Sequence, residues 1–124
     1  QELLQSIADE QLTAAADILD AADVIYLIGQ LRSAPVVDLL RYILTMLGKR
    51  CVLLDPGGGL ATHMARTIGP KDALVAVSFR FYANEVVSIV DEVAKTGAPI
   101  VAISDSTLSP LATRSIRAFD FRKP

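Results

Sequence analysis

The fold is indicated most clearly by residues 24–33, which read VIYLIGQLRS. Five consecutive apolar residues, β-branched and aromatic types among them, are typical of a strand covered on both faces, as in a parallel sheet. The run breaks at Gly29, which permits backbone angles that a side chain would forbid, and Pro35 suits the first turn of a following helix. Such a junction aims backbone N–H groups at the carboxyl edge of the sheet, where we expect anions to be favoured.

A second junction of this kind follows the third predicted strand, where the chain continues as Ser78-Phe79-Arg80. Apolar runs and helical periodicities alternate along the chain. They predict strands at 24–28, 51–54, 73–77, 98–103 and 116–121, and helices at 1–22, 34–47, 60–67 and 84–95, with one more short helix after Ser109. This alternation predicts a three-layer α/β/α sandwich around a five-stranded parallel sheet, with both junctions at its carboxyl edge.

Composition limits the classes of protein to which the chain belongs. Its 124 residues are enough for one domain, and the formal net charge of −2 argues against a nucleic-acid-binding surface in this segment. There is no apolar run long enough to span a membrane and no signal-peptide pattern. The single Cys51 excludes an internal disulfide and fits a buried strand position in a cytoplasmic protein. The lone His63, with no cysteine cluster beside it, predicts no metal, and nothing indicates another cofactor.

The predicted helix at 34–47 is apolar over more than one face, which is typical of deep burial or of contact between subunits. Together with the apolar excess of the first predicted helix, it predicts a homodimer. The chain begins with Gln1 rather than Met. We therefore expect it to be part of a longer protein.

The residues predicted to contact a ligand lie in the two turns: Gly29, Gln30, Arg32, Ser33, Ser78, Arg80 and Glu85. Hydroxyls and loop amides suit an oxyanion, and arginine captures phosphate or carboxylate in a bidentate manner. Glu85 would hydrogen-bond a sugar hydroxyl or act as a base. Structural roles stay open at this point: Ser33 as a helix cap, Glu85 as a first-turn charge, and both arginines as solvated surface residues.

These turns resemble those of the sugar isomerase (SIS) domain, which carries G-x-G-x-S after its first strand and S-x-S-G-x-T, with a downstream glutamate, after its third. Here residues 29–33 read GQLRS and residues 78–83 read SFRFYA, followed by Glu85. Residues 97–112, GAPIVAISDSTLSPLA, are similar to a stretch found in the SIS domains of RpiR/MurR-type bacterial transcriptional regulators. The resemblance extends over nearly the whole chain, 1–124.

The resemblance implies an SIS-like sheet in flavodoxin-like strand order and a dimeric sensor domain. Its effector would be a sugar phosphate or a related anionic carbohydrate such as a sugar acid. A helix-turn-helix domain would precede residue 1, and DNA would be contacted only through that domain. No membrane contact is implied. The residues that match the family pattern are Gly29, Ser33, Ser78 and Glu85.

The chain also departs from the pattern. Leu31 replaces the second glycine of the first turn, and Arg80, Phe81 and Ala83 replace the serine, glycine and threonine of the second. Two hypotheses follow for the site. In the first, which we favour, arginines replace the hydroxyl cradle and an anion still binds. In the second, Phe81 and Tyr82 reshape the pocket, and the domain serves for dimerisation or binds an uncharged ligand.

SIS domains also occur in aldose–ketose phosphosugar isomerases, and this is the alternative function. Isomerisation needs a base and a group that assists ring opening. Glu85 and His63 are the candidates, but nothing in the sequence brings them together. The sequence therefore predicts a regulator domain without catalytic residues rather than an enzyme.

Overall fold

The computed structural model describes residues 13–29, 33–55, 59–78, 84–104 and 117–120. Strands and helices alternate through these ranges. Helix α1 is described from residue 13 to residue 21, and the other elements are β1 Ile25–Gly29, α2 Ala34–Met46, β2 Cys51–Leu53, α3 Leu60–Ala65, β3 Ala73–Ser78, α4 Asn84–Lys95, β4 Ile100–Ser104 and β5 Arg117–Asp120. The first half of the predicted helix at 1–22 and the predicted helix after Ser109 lie outside the described residues.

The five strands form one parallel sheet in the order β2-β1-β3-β4-β5. This is the flavodoxin-like order, so the predicted architecture is confirmed. Strand β3 lies next to β1 and β4 and is buried along its whole length. A continuous apolar run is therefore required there, because both of its faces are covered.

Alternate residues of each strand pack into two hydrophobic clusters, one on each face of the sheet. Ile25 and Leu27 of β1 pack with Val37 of α2 and with the described part of α1. Ile28 packs with α3 and α4 on the opposite face. The period of two along each strand thus decides which helix layer each side chain meets.

The helices are also joined to one another at their ends. The Lys49 ammonium, just after α2, donates hydrogen bonds to the carbonyl oxygens of Asp20 (2.8 Å) and Ala22 (3.3 Å) at the end of α1. A cation satisfies the unpaired carbonyls at a helix C-terminus and interacts favourably with its dipole. On the other face, Arg66 forms a 3.4 Å ion pair with Glu92, which links the end of α3 to α4.

Element boundaries shift by one or two residues from those predicted. Strand β4 begins at Ile100 rather than at 98, because Pro99 has no N–H to donate and contributes only its carbonyl, which accepts from Leu74 N at 3.0 Å. Helix α2 ends at Met46, one residue before the predicted end at 47, and Gly48 follows with a φ of +88°, the left-handed conformation typical after a helix. No described helix is long and apolar enough to cross a membrane.

Candidate functional site

The carboxyl ends of the strands share one edge of the sheet, and polar residues end three neighbouring strands there. Ser78 of β3 is in register with Ser104 of β4, which is in register with Asp120 of β5. In open α/β sheets, ligands bind at this edge, beside the point where the strand order reverses. Here that point lies between β1 and β3, since their connections run to opposite faces of the sheet.

Gly29 ends β1 at this reversal point, paired with Val77 of β3. The expectation of unusual backbone angles is wrong: among the described glycines, positive φ values occur at Gly48, Gly59 and Gly97, whereas Gly29 is an ordinary strand residue. Space is what requires glycine. A Cβ atom at residue 29 would lie 2.5 Å from Cγ2 of Val37 and 3.3 Å from the carbonyl oxygen of Val77. The missing side chain allows the first turn of α2 to lie directly against the end of β1.

Ser33 is brought to the sheet edge by this close approach. It occupies the position before α2, is 2% exposed, and makes no side-chain hydrogen bond to the helix. The capping alternative is therefore wrong, because a capping hydroxyl accepts from an N–H group in the first turn. Pro35 lies in that turn, as predicted, and has no N–H to donate.

Ser78 is the second buried hydroxyl of this edge, at 6% exposure. Side chains alternate between the two faces of β3, so Ser78 lies on the same face as Leu74 and Ala76, which is covered by α3 and α4. Ser33, by contrast, precedes α2 on the other face of the sheet. The described chain offers neither hydroxyl a hydrogen-bond partner. A hydroxyl buried without a partner costs about 1–3 kcal/mol, so both are suited to accept or donate to a bound molecule.

The two helices that start at this edge carry different charges. Helix α2 has no acidic residue in its first turn, whereas α4 has Glu85 there. The partial positive charge at a helix N-terminus favours a bound anion. A carboxylate in the first turn already compensates that charge. Glu85 is exposed. An anionic group is therefore best accommodated at the start of α2.

The structure places four of the seven predicted site residues at this edge: Gly29, Ser33, Ser78 and Glu85. Gln30, Arg32 and Arg80, as well as Leu31, Phe81, Tyr82 and Ala83, lie outside the described residues. His63 is exposed in the last turn of α3, at the end of that helix that points away from this edge. Within the described ranges, no three histidine, cysteine, aspartate or glutamate residues lie close enough together to hold a metal ion.

Sequence reasoning missed Ser104 and Asp120 as candidates for the site. The predicted fourth strand ends at residue 103, just before Ser104, and Asp120 falls within the predicted strand at 116–121, for which no ligand role is predicted. Both backbone positions are aligned with Ser78 across the sheet. The signal that would have found them is the shared position at the end of each strand, which becomes clear only when the register of the strands is known.

Comparison with known proteins identifies the family. The SIS domain profile matches residues 18–124, which is most of the chain. The chain belongs to the SIS domain family. No curated protein sequence matches it significantly. The edge that holds Ser33 and Ser78 is therefore the carboxyl edge of the sheet in an SIS domain.

Solved structures agree with this assignment. The sugar isomerase domain of an RpiR transcription factor from Sphaerobacter thermophilus superposes with a TM-score of 0.84 at 30% identity, over 89% of this chain and 62% of that one. The structure of Vibrio vulnificus NanR complexed with ManNAc-6P superposes with a TM-score of 0.81 at 24% identity, over 90% of this chain and 42% of NanR. A Methanococcus jannaschii protein with an inferred 3-hexulose-6-phosphate isomerase function superposes with a TM-score of 0.75 at 15% identity. The match covers 90% of this chain and 59% of that protein.

This SIS domain thus spans less than two thirds of the length of each of these proteins. The resemblance to the SIS domains of RpiR-type regulators, predicted from residues 29–33, 78–85 and 97–112, is confirmed. The matches below 25% identity show the fold alone.

Proposed function

We propose that this SIS domain is the effector-sensing domain of an RpiR-type transcriptional regulator and that its effector is a sugar phosphate or a related anionic carbohydrate. The observation that carries the proposal is the presence of two buried hydroxyls at the carboxyl edge of the sheet: Ser33, which precedes a helix whose first turn holds no carboxylate, and Ser78, which ends β3. A regulator's own DNA contact would belong to a helix-turn-helix domain placed before this one. We also propose that the protein acts in the cytoplasm.

The physical argument starts from the cost of the unliganded site. Each buried hydroxyl has lost its water without gaining a partner in the described chain, and a ligand oxygen would restore that hydrogen bond. The anionic part of the ligand would lie at the α2 N-terminus, where the helix dipole favours negative charge. The polar remainder would extend along the sheet edge past Ser78 toward Ser104. This arrangement fits a small molecule with an anion at one end and hydroxyls along its length.

The similarity to solved structures also supports a sugar phosphate as the effector. The RpiR domain from Sphaerobacter thermophilus is 30% identical to this chain, and the related fold of NanR was solved with ManNAc-6P. Arg32 and Arg80 stay predicted ligand residues that would add charge where the family pattern has glycine and hydroxyl groups.

The test is a thermal-shift screen against hexose, pentose and amino-sugar phosphates and the corresponding sugar acids. A ligand at 100 times its dissociation constant is expected to add about 2.7 kcal/mol to the free energy of unfolding. Ser33→Ala and Ser78→Ala are expected to abolish the shift for any compound that binds. Ser88→Ala, an identical change on the exposed face of α4, is the control and should leave the shift unchanged.

The arginines are tested with the same compound. Arg32→Ala and Arg80→Ala are each expected to weaken binding about tenfold or more, because charge-assisted hydrogen bonds to an anion are stronger than neutral ones. Binding that survives both substitutions unchanged would contradict the replacement of the hydroxyl cradle by charge. A shift produced equally by the unphosphorylated sugar would show that the effector is not anionic.

An aldose–ketose isomerase is the second candidate function, since Glu85 is at the same edge and related folds include an inferred isomerase. We favour the sensor because Glu85 and His63, the groups needed for proton transfer and ring opening, belong to the first turn of α4 and the last turn of α3. Incubation of the domain with aldose and ketose phosphates is expected to give no interconversion. Turnover that is lost in Glu85→Gln would establish the isomerase instead.

A further inference from the structure

Lys49 contacts the ends of two helices. Its backbone N–H donates to the carbonyl oxygen of Leu44 at 3.0 Å, in the turn where Gly48 adopts a φ of +88°. This is the bonding that closes a helix behind a left-handed residue, so the backbone of Lys49 terminates α2. Its ammonium donates to the carbonyl oxygens of Asp20 (2.8 Å) and Ala22 (3.3 Å) at the end of α1. We call these two side-chain hydrogen bonds the Lys49 bridge.

The bridge is the polar connection between the two helices. Because the bond to Leu44 fixes residue 49 relative to α2, the lysine side chain extends from a defined point at the end of that helix. Among the described residues, no other side-chain hydrogen bond or ion pair joins α1 to α2. Carbonyl groups at a helix C-terminus have no partner within the helix, and a cation satisfies them and interacts favourably with the dipole.

The apolar packing of α1 is small. In its described part, residues 13–21, Ala15 is the single buried residue, and Ile18 and Leu19 are half-buried. Helix α4, by contrast, buries four valine and isoleucine side chains to 2% exposure or less. Burial of an alanine removes much less apolar area from water than burial of a valine or isoleucine. The Lys49 bridge therefore contributes a larger share of the attachment of α1 than a polar contact would for α4.

A groove of about 440 Å³ borders the other flank of α1. Its lining includes Asp17, Ile18 and Ala21 of α1 and, across from them, Pro70, Lys71 and Pro99. These last three residues precede β3 and β4, which lie on one side of β1, whereas Lys49 precedes β2 on the other side. Along the groove α1 has few partner atoms, so it gains little dispersion attraction there.

We propose that Lys49 is the positioning residue that holds α1 at the end of α2, and that α1 is released as an independent unit when the Lys49 bridge is broken. Elements with few buried apolar contacts are the ones that open locally. The proposal goes beyond the effector and does not depend on it. One consequence rests on the proposed function: since α2 begins beside Ser33, a movement of α2 at the candidate ligand site would reach α1 through the bridge.

Amide hydrogen exchange in the 124-residue chain tests the role of Lys49. The reporters are the amides of residues 17–21, which bond within the described part of α1. Lys49→Met keeps a flexible stem and removes the charge. It is expected to speed their exchange about tenfold or more, because charge-assisted hydrogen bonds are lost. Lys49→Arg keeps the charge and should stay close to the wild-type rate. Lys95→Met, which removes an exposed lysine from α4, is the matched control and should leave α1 unchanged.

A substitution on the other face of the sheet tests whether α1 opens by itself. Ile89→Val removes a buried methylene group from α4 and is expected to speed exchange of the central α4 amides about three- to tenfold, since unfolding of the domain releases them. Residues 17–21 should keep the wild-type rate in this variant, because α4 stays folded when α1 alone is released. Equal acceleration of the α1 and α4 amides in Ile89→Val would show that α1 opens only with the whole domain and would overturn the proposal.

The dependence of exchange on urea concentration adds a measure of the surface exposed in each opening. Release of α1 alone should give residues 17–21 a smaller slope than the central α4 amides, and equal slopes would contradict independent release. Two results would overturn the role of Lys49. One is the same α1 exchange rate in the wild type and in Lys49→Met. The other is an acceleration in Lys49→Arg as large as that in Lys49→Met, which would show that the charge has no part in holding the helix.

Discussion

Helices α2 and α4 have nearly the same length and each follows a strand of the central sheet, yet they bury very different surfaces. In α4 one side is fully covered: Val86, Ile89, Val90 and Val93 are at most 2% exposed. In α2, Val37 is the single fully buried residue, and the opposite side is apolar. Helix α4 is an ordinary amphipathic helix whose interactions are complete within one chain, whereas α2 is not.

The same contrast holds at the two N-termini. Helix α4 carries its own compensating charge in Glu85, and α2 carries none and has an uncapped Ser33 in front of it. Both the hydroxyl at the start of α2 and the apolar side chains on its outer face therefore lack a partner within the described part of the chain. This is the physical basis for proposing a ligand at the start of α2.

The largest expected effect tests the difference in burial with one substitution made in both helices. Ile89→Ala in α4 is expected to lower the free energy of unfolding by about 2–5 kcal/mol, since it removes buried methylene groups and leaves a cavity. Ile43→Ala in α2 should cost less than about 1 kcal/mol in the monomer, because its side chain is 43% exposed. Urea unfolding is measured at a dilution where the chain is monomeric.

Protein concentration sharpens this comparison. At concentrations that favour the dimer, Ile43→Ala should become more destabilising, whereas the effect of Ile89→Ala should stay constant, because only the first removes subunit contacts. Equal, concentration-independent losses in both variants would contradict the view that α2 is completed by a partner.

A smaller effect is expected from filling the space at which α2 meets β1. Gly29→Ala would bring a methyl group within 2.5 Å of Val37, which is 1% exposed and cannot move aside, and should destabilise the domain by about 1–3 kcal/mol. Gly69→Ala is the control: its new methyl group would lie no closer than 3.8 Å to a neighbour, the Asp72 carboxylate. Thermal unfolding of both variants measures the difference.

The double variant Gly29→Ala/Val37→Ala separates crowding from backbone conformation. If crowding against Val37 is the reason for glycine at residue 29, removal of the Val37 methyl groups should restore part of the stability that Gly29→Ala costs. The loss caused by Val37→Ala alone is subtracted in this comparison. Strict additivity of the two changes would show that a different constraint acts at residue 29.

The comparison also separates what the sequence predicts from what it does not. The periodicity of apolar residues located every described strand and helix to within a few residues. It does so because burial of one face of a strand or helix determines the spacing of its apolar residues. It also identified α2 as apolar on more than one face. The sequence alone left deep burial and subunit contact open for that helix, and the exposure of Leu39 and Met46 excludes deep burial within the chain.

The details of the site were harder to predict for a physical reason. The sequence correctly predicts Gly29 at the end of β1, but it does so from backbone angles. The actual reason for glycine is the close approach of Val37. Ser33 was found from its position, yet its lack of a capping bond depends on distances of a few tenths of an ångström. Ser104 and Asp120 enter the site only through strand register. Such features depend on tertiary contacts that local patterns do not encode.

The charge difference between the N-termini leads to a third prediction. Ala34→Glu places a carboxylate in the first turn of α2, at an exposed position, and so gives α2 the compensation that α4 has in Glu85. The unliganded domain should become slightly more stable, while affinity for an anionic effector should fall about fivefold, equivalent to about 1 kcal/mol of helix-dipole interaction. Isothermal titration calorimetry measures the affinity. Ala34→Gln, equal in size but neutral, is the control, and an equal loss in both would indicate a steric effect.

The smallest expected effect concerns the α3–α4 side of the sheet, where Tyr26 packs against the cluster that includes Val90. Burial, reinforced by the negative charge of Asp72 and opposed by Arg50, raises the pKa of Tyr26 above its ordinary value of 10.0. The folded state therefore holds the phenolic proton more tightly than the unfolded chain does. This stabilisation is complete below pH 10 and is lost as the pH rises from about 10 through the folded-state pKa. In urea unfolding, Tyr26→Phe should flatten this alkaline loss. A slope that Tyr26→Phe leaves unchanged would show that a different group causes the alkaline loss.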